Sequence, residues 1–104
     1  MATKVFRYQF DNSVPMEEVE SSLLLAIMGV ESLHGETAVQ LNSSHYLDMA
    51  TRTCLVDAGT AVGHSLNLLF TGFLRREFGR KHFQVKRVKR QVSRLPESST
   101  QSEG

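Results

Sequence analysis

Two hydrophobic periodicities alternate along the chain, and they constrain its fold more than any other feature of the sequence. Residues 4–10 alternate apolar and polar side chains with a period of two, which is typical of a strand with one buried face. Residues 15–34 and 61–78 instead repeat apolar side chains every three to four positions, which predicts two amphipathic helices. We therefore expect an α+β protein with two long helices.

The ends of both helices are marked by residues that favour helix termini. Asp11 to Ser13 supply capping oxygens before the first helix, and Gly35 is suited to end it. Asp57 or Thr60 can cap the second helix, and Gly79 can end it. The predicted core stripes are Met16, Val19, Leu23, Ile27 and Val30 in the first helix and Val62, Leu66, Leu69, Phe70 and Phe73 in the second.

Four segments have the pattern of strands. In the first, residues 4–10, we expect Phe6, Tyr8 and Phe10 to face the helices. Residues 37–41 are interpreted as the second strand, residues 51–56 as the third and residues 82–88 as the fourth. Residues 45–50 fit either a continuing strand or a single helical turn.

The resulting order of strand, helix, strand, strand, helix, strand is that of the split βαβ, or ferredoxin-like, two-layer sandwich. Right-handed crossovers place both helices on one face of a four-stranded antiparallel sheet and leave the other face open, with Arg7 and Gln9 on it. We expect this domain to span residues 1–92. Residues 93–104 are predicted to form a disordered tail, because their polar composition cannot bury enough apolar surface to offset the ordering entropy.

The length and composition of the chain indicate whether it is a soluble, membrane or secreted protein. A chain of 104 residues is long enough for one hydrophobic core. The longest apolar runs, residues 23–30 and 66–70, are far shorter than the roughly 20 residues that span a bilayer, and the N-terminus lacks a secretory signal. The lone Cys54 cannot form an intramolecular disulfide. We therefore expect a cytoplasmic protein that does not enter the membrane.

No residue pattern points strongly to catalysis, a cofactor or a metal. Cys54, Asp57 and His64 include the residue types of a thiol nucleophile with its base, but their spacing does not force them into contact. The four histidines lack the spacing of a metal site. We expect no enzyme, cofactor or metal, with a site at these three residues as the third alternative for function. Cys54 is interpreted as a structural core residue.

Residues 58–65 resemble a phosphate-binding P-loop, with Ala58 at the first glycine position and His64 at the lysine position. A mostly neutral histidine is a poor substitute for the lysine that contacts the terminal phosphates. We therefore interpret the segment as a turn, in which Gly63 permits close packing of helix against sheet.

Nine of the twelve basic residues fall between Arg75 and Arg94, so residues 1–74 carry a net charge of −5 and residues 75–104 a net charge of +6. Such asymmetry indicates a polyanionic or acidic partner. The candidate polyanion-binding residues are Lys86, Arg87, Lys89 and Arg90. Basic residues on an edge strand also protect it from pairing with other sheets, and the third strand has no aromatic residue on which bases could stack.

The first helix carries a second apolar surface outside its core stripe. Leu24, Leu25 and Met28 lie there between polar residues, and Leu68 lies similarly on the second helix. A clustered apolar patch with a polar rim is typical of a protein interface. We expect a small interaction or assembly module that self-associates or docks on a larger protein through its helices. Binding of nucleic acid by the basic C-terminal strand is the alternative.

Overall fold

The computed structural model describes residues 4–88. In chain order the elements are β1 (Val5–Phe10), α1 (Met16–His34), α2 (Glu36–Asn42), β2 (His45–Asp48), β3 (Thr53–Asp57), α3 (Ala61–Phe78), a 3₁₀ turn (Arg80–His82) and β4 (Phe83–Val88). The four strands form one antiparallel sheet in the order β2-β3-β1-β4. The chain is thus an α+β protein with one core, as predicted. The predicted tail, residues 93–104, lies outside the described residues.

One face of the sheet forms one side of the hydrophobic core. Tyr8 and Phe10 of β1 are buried there, and Phe6 packs against the same cluster, so the predicted orientation of this strand is confirmed. The Tyr8 ring lies 4.9 Å from the ring of Phe70 in α3, and Phe10 lies 5.9 Å from Phe83 in β4. Aromatic pairs at these distances add directional packing to the burial of apolar area. The sheet is therefore joined to α3 through a cluster of rings.

The helical layer consists of α1 and α3, and both predicted core stripes face the sheet. Seven of their ten residues are buried, while Ile27, Leu69 and Phe73 are partly buried and pack against the core from its margin. Two contacts show that the helices run antiparallel. The His34 Nε2 atom lies 3.0 Å from the Ser65 Oγ atom, and a Cβ atom on Gly29 would lie 3.0 Å from the Leu69 Cδ1 atom. The end of α1 thus lies beside the start of α3.

The prediction of a strand over residues 37–41 is wrong, because this segment lies within the short helix α2. Gly35 adopts a φ of 89°, which reverses the chain after α1 and begins a second helix at once. The edge position beside β3 is occupied by β2. Residues 37–41 therefore have no strand to pair with, and the helix instead satisfies their backbone groups internally while burying Val39.

The ambiguous segment, residues 45–50, is a strand as far as Asp48 and then a turn. The Asp48 carboxylate accepts hydrogen bonds from the backbone N–H groups of Ala50 and Thr51 at 3.0 and 3.2 Å, which ends the strand. Arg52 has a φ of 59° and donates to the carbonyl oxygens of Asp11 and Val14. The third strand consequently begins at Thr53, two residues later than predicted.

The connection between β3 and α3 is tightly packed. Thr60 is the cap of α3, since its Oγ1 atom accepts a hydrogen bond of 2.9 Å from the backbone N–H group of Gly63. Gly63 itself lies against the backbone of Asp57, where a Cβ atom would overlap the Asp57 carbonyl oxygen. The close packing predicted for this glycine is therefore confirmed.

Candidate functional site

Four large apolar side chains lie on the outer surface of the helical layer: Leu24, Leu25 and Met28 of α1 and Leu68 of α3. We call these four residues the helix patch. Their exposed fractions are 55%, 56%, 60% and 60%. On α1 the patch lies opposite the buried stripe, as a period of 3.6 residues requires. Every apolar residue assigned to a contact surface from the sequence is thus exposed.

Charges of opposite sign border the helix patch on its two helices. The exposed Glu17, Glu18 and Glu20 lie near the start of α1, which has no lysine or arginine. The exposed Arg75 and Arg76 lie near the end of α3. Because the helices are antiparallel, both groups are at the same end of the layer. Among residues 4–88, no ion pair joins the two groups.

Gly72 makes a recess on the outer surface of α3. It lies in mid-helix and is exposed, and a Cβ atom added to it would have no neighbour within 4 Å. Glycine at such a position costs about 1 kcal/mol relative to alanine. Within the part of the chain that the structure describes, no packing contact offsets this cost. The surface beside Leu68 is consequently open to a side chain from outside.

Leu33 and Leu41 are also exposed, at 70% and 77%, and sequence reasoning missed both. Helical periodicity places Leu33 near the buried stripe, three residues after Val30. Leu41 belongs to the segment that the sequence predicts as the second strand and that forms α2. Neither residue carried a signal of its exposure, because Leu33 lies beside the α1–α2 connection and Leu41 beside the α2–β2 connection, and the paths of both connections depend on tertiary packing.

Of the four candidate polyanion-binding residues, Lys86 and Arg87 lie within the described residues, and they project from opposite faces of β4. Lys86 pairs with Arg7 on the open face of the sheet, whereas Arg87 pairs with Phe6 and therefore projects on the opposite face. Lys89 and Arg90 lie outside the described residues. The basic strand therefore divides its charges between two faces, and the neighbour of Lys86 is a basic residue of β1.

A row of four side chains crosses the open face in direct register: Tyr46 of β2, Leu55 of β3, Arg7 of β1 and Lys86 of β4. We call this set the open-face row. Strand spacings of about 4.8 Å give it a length of roughly 14 Å. Tyr46 is 60% exposed and was missed, although alternation over residues 45–48 could have indicated its orientation.

The acidic residues of the open face are engaged in turns. The Asp57 carboxylate accepts a 2.9 Å hydrogen bond from the backbone N–H group of Gly59, and Asp48 caps the turn after β2. These hydrogen bonds direct the two carboxylates toward backbone donors at the ends of their strands. The middle of the open face is therefore occupied by the basic and apolar residues of the open-face row.

Cys54, Asp57 and His64 are not brought together by the fold. Cys54 is fully buried on the helix-facing side of β3, and burial raises the pKa of its thiol to about 12. His64 is exposed on α3, and no hydrogen bond connects any two of the three residues in the described segment. A thiol with so high a pKa is almost entirely protonated at neutral pH and is a poor nucleophile.

Over residues 4–88, no three histidine, cysteine, aspartate or glutamate side chains come close enough together to hold a metal ion. In the same range, no helix combines the length and the apolar character needed to cross a bilayer.

The surfaces with functional potential are therefore the helix patch and the open-face row. Comparison with known proteins assigns neither of them, since no family model, curated protein or solved structure matches the chain.

Proposed function

We propose that this protein is a small non-enzymatic interaction or assembly module whose contact surface is the helix patch. The observation that carries the proposal is the exposure of four large apolar side chains, each more than half accessible, on one surface of the helical layer. Scattered exposed leucines are common on monomers. A cluster bordered by charged and small polar residues is instead typical of a surface that another protein covers.

The free energy from burying the helix patch can be compared with the free-energy cost of association. Full burial of an exposed leucine or methionine contributes about 1.5–3 kcal/mol, so the remaining exposed area of the helix patch contributes on the order of 3–7 kcal/mol. Association costs at least about 4 kcal/mol in translational and rotational freedom. The patch alone therefore gives weak binding. A stable complex also requires favourable contacts from the charged residues around it.

For the fold, we propose the ferredoxin-like arrangement. Its support is the strand order β2-β3-β1-β4, with β1 and β3 in the centre, together with the antiparallel helices α1 and α3 in one layer. This arrangement leaves the outer surface of the helices and the open face of the sheet as two separate contact surfaces. The proposed function uses the first of them.

The double variant Leu25→Glu/Met28→Glu is expected to abolish self-association at micromolar concentration, because two carboxylates would have to be desolvated in the interface. Sedimentation velocity should show the variant as a monomer of 11.7 kDa and the wild type as a larger species. The matched control is Leu33→Glu/Leu41→Glu, which introduces the same charge at exposed leucines outside the patch. Circular dichroism checks that each variant is folded.

If both double variants sediment like the wild type, the helix patch is not the contact surface. If the wild type is itself a monomer over this range, self-association fails and only docking on a different protein remains.

A second candidate function, binding of single-stranded nucleic acid, is favoured by the open-face row. Tyr46 offers an aromatic surface for stacking a base, and Arg7 and Lys86 offer two adjacent cations for phosphates. This differs from the prediction of a purely basic strand, because the aromatic residue comes from β2. The row carries few charges, so we expect weak binding, with a Kd of about 10⁻⁴ to 10⁻⁶ M.

For this candidate, we expect Arg7→Glu/Lys86→Glu to reduce the salt dependence of binding to a labelled oligonucleotide. Fluorescence anisotropy over a salt series should give a log–log slope that is smaller by about 1.4, or roughly 0.7 for each lost phosphate contact. Arg76→Glu/Lys81→Glu makes the same charge change away from the row and should alter the slope less. Equal losses in the two variants would indicate nonspecific electrostatic binding.

A further inference from the structure

We propose that the partner of the helix patch is a second copy of this chain, in a two-fold dimer in which α1 of each subunit packs on α3 of the other. The inference rests on the proposed function, since it uses the same surface. It adds the identity of the partner and the pairing of the helices. Three properties of the helical layer support this dimer: the positions of its residues along the helix axes, the shape of its outer surface and the distribution of its charges.

The contacts between α1 and α3 show which residues of the two helices lie at the same height along the helix axes, which we call their level. Gly29 lies beside Leu69, and the helices are antiparallel, so Met28 is level with Phe70 and Leu25 with Phe73. Consider two subunits whose helical layers face each other across a two-fold axis that runs parallel to the helices. This rotation swaps the left and right sides of the layer but does not change the position of any residue along the helix axis. It therefore places α1 of one subunit over α3 of the other, with the two helices antiparallel.

The shape of α3 fits this arrangement. Met28 of the partner subunit comes to the level of Phe70, which is between Leu68 and Gly72 on the outer surface of α3. The recess at Gly72 has no occupant within the described chain and is open to an incoming side chain. Insertion of a side chain between residues of the facing helix is the usual packing of paired helices. The dimer thus gives Gly72 the close neighbour that its own subunit does not provide.

The charges select this pairing over the alternatives. With α1 on α3, the Glu17 and Glu20 carboxylates of one subunit come to the end of α3 that carries Arg75 and Arg76 of the other. Pairing α1 with α1 would bring together two helices that carry glutamates and no lysine or arginine. Pairing α3 with α3 would bring the arginines together if the helices were parallel, and would offer them no acidic residue at the start of the facing helix if they were antiparallel. Like charges in an interface oppose association, whereas opposite charges favour it and fix the register.

The size of the helical layer fits an interface at the small end of the usual range. With 19 and 18 residues, α1 and α3 are each about 27–28 Å long. Packed helices lie about 8–10 Å apart, so the outer surface of the pair is about 20 Å wide. A flat face of these dimensions is about 560 Å², so a dimer buries about 1,100 Å² in total, close to the lower end of the roughly 1,200–2,000 Å² that specific interfaces bury. The two-fold axis uses each contact twice, which doubles the contribution of the helix patch.

A charge-exchange experiment on the full chain tests the pairing. The acidic-helix variant is Glu17→Arg/Glu20→Arg, and the basic-helix variant is Arg75→Glu/Arg76→Glu. Each variant alone places like charges against each other in both halves of the dimer. We expect each to weaken dimerisation by about tenfold or more, as measured by sedimentation equilibrium. Mixing the two restores an attractive pair in both halves, so the heterodimer should form with roughly wild-type affinity.

Labelling one variant with a fluorophore detects the heterodimer directly, and raised salt should weaken it. A wild-type chain that stays monomeric, or a mixture that associates no better than either variant alone, overturns the inference. If the mixture fails while Leu25→Glu/Met28→Glu still abolishes self-association, the helix patch remains the contact surface and only the pairing is wrong. If that variant also associates normally, the proposed function fails as well.

Discussion

Replacing Gly63 by alanine is expected to destabilise the chain by about 3 kcal/mol or more, which is at or above the upper end of what overpacking usually costs. The added methyl group would overlap the carbonyl oxygen of Asp57, and it would also lie 3.2 Å from the Oγ1 atom of Thr60. A backbone carbonyl at the end of β3 cannot rotate away as a flexible side chain can. The start of α3 would therefore have to move from the sheet.

Thermal unfolding measured by circular dichroism tests this prediction. A loss of 3 kcal/mol lowers the midpoint by about 12–24 °C in a domain of this size. The matched control is Gly72→Ala, which adds the same methyl group to the same helix where no atom lies within 4 Å. It should stabilise the monomer by about 0.5–1 kcal/mol, because alanine favours the helix. Equal midpoints for the two variants would contradict the close packing at Gly63.

Replacing Phe70 by alanine should cost about 3–5 kcal/mol, since it leaves a cavity in the centre of the core. Phe70 is fully buried, and its ring packs on Tyr8, whose hydroxyl interacts with the Thr71 Oγ1 atom at 2.7 Å. The total stability of a small domain is about 5–15 kcal/mol, so this loss is a large fraction of it. Urea denaturation should show a lower midpoint with little change in slope.

Phe73→Ala is the control for this experiment, because it removes the same ring from a half-buried position on the same helix. Its cost should be clearly smaller, since part of that ring is already in contact with water. Similar losses for the two variants would mean that the centre of the core does not lie at Phe70.

The elements that could be predicted from the sequence are those whose signal is local. Both long helices begin and end within a residue of their predicted bounds, because a stripe of apolar residues every three to four positions and a terminal glycine act within a single segment. The first strand was predicted with its buried face for the same reason. The helix patch was also predictable, since residues opposite a buried stripe must face outward.

The features that could not be predicted from the sequence belong to segments whose structure depends on pairing with other strands. Residues 37–41 have strand-like composition but form α2, because the place beside β3 is taken by His45–Asp48. The open-face row could not be read from the sequence either. Tyr46, Arg7 and Lys86 come from three strands, and only the register between those strands aligns them.

By itself the sequence determined the two amphipathic helices, the buried face of β1 and the exposed apolar residues of the helical layer, because helix and strand periodicity are properties of a single segment. The tertiary structure alone decided which residues share a surface. It separated Cys54 from His64, placed Lys86 beside Arg7 and brought the acidic start of α1 to the same end of the layer as Arg75. These relations depend on strand register and on the antiparallel packing of helices, which are set by contacts between residues distant in the chain.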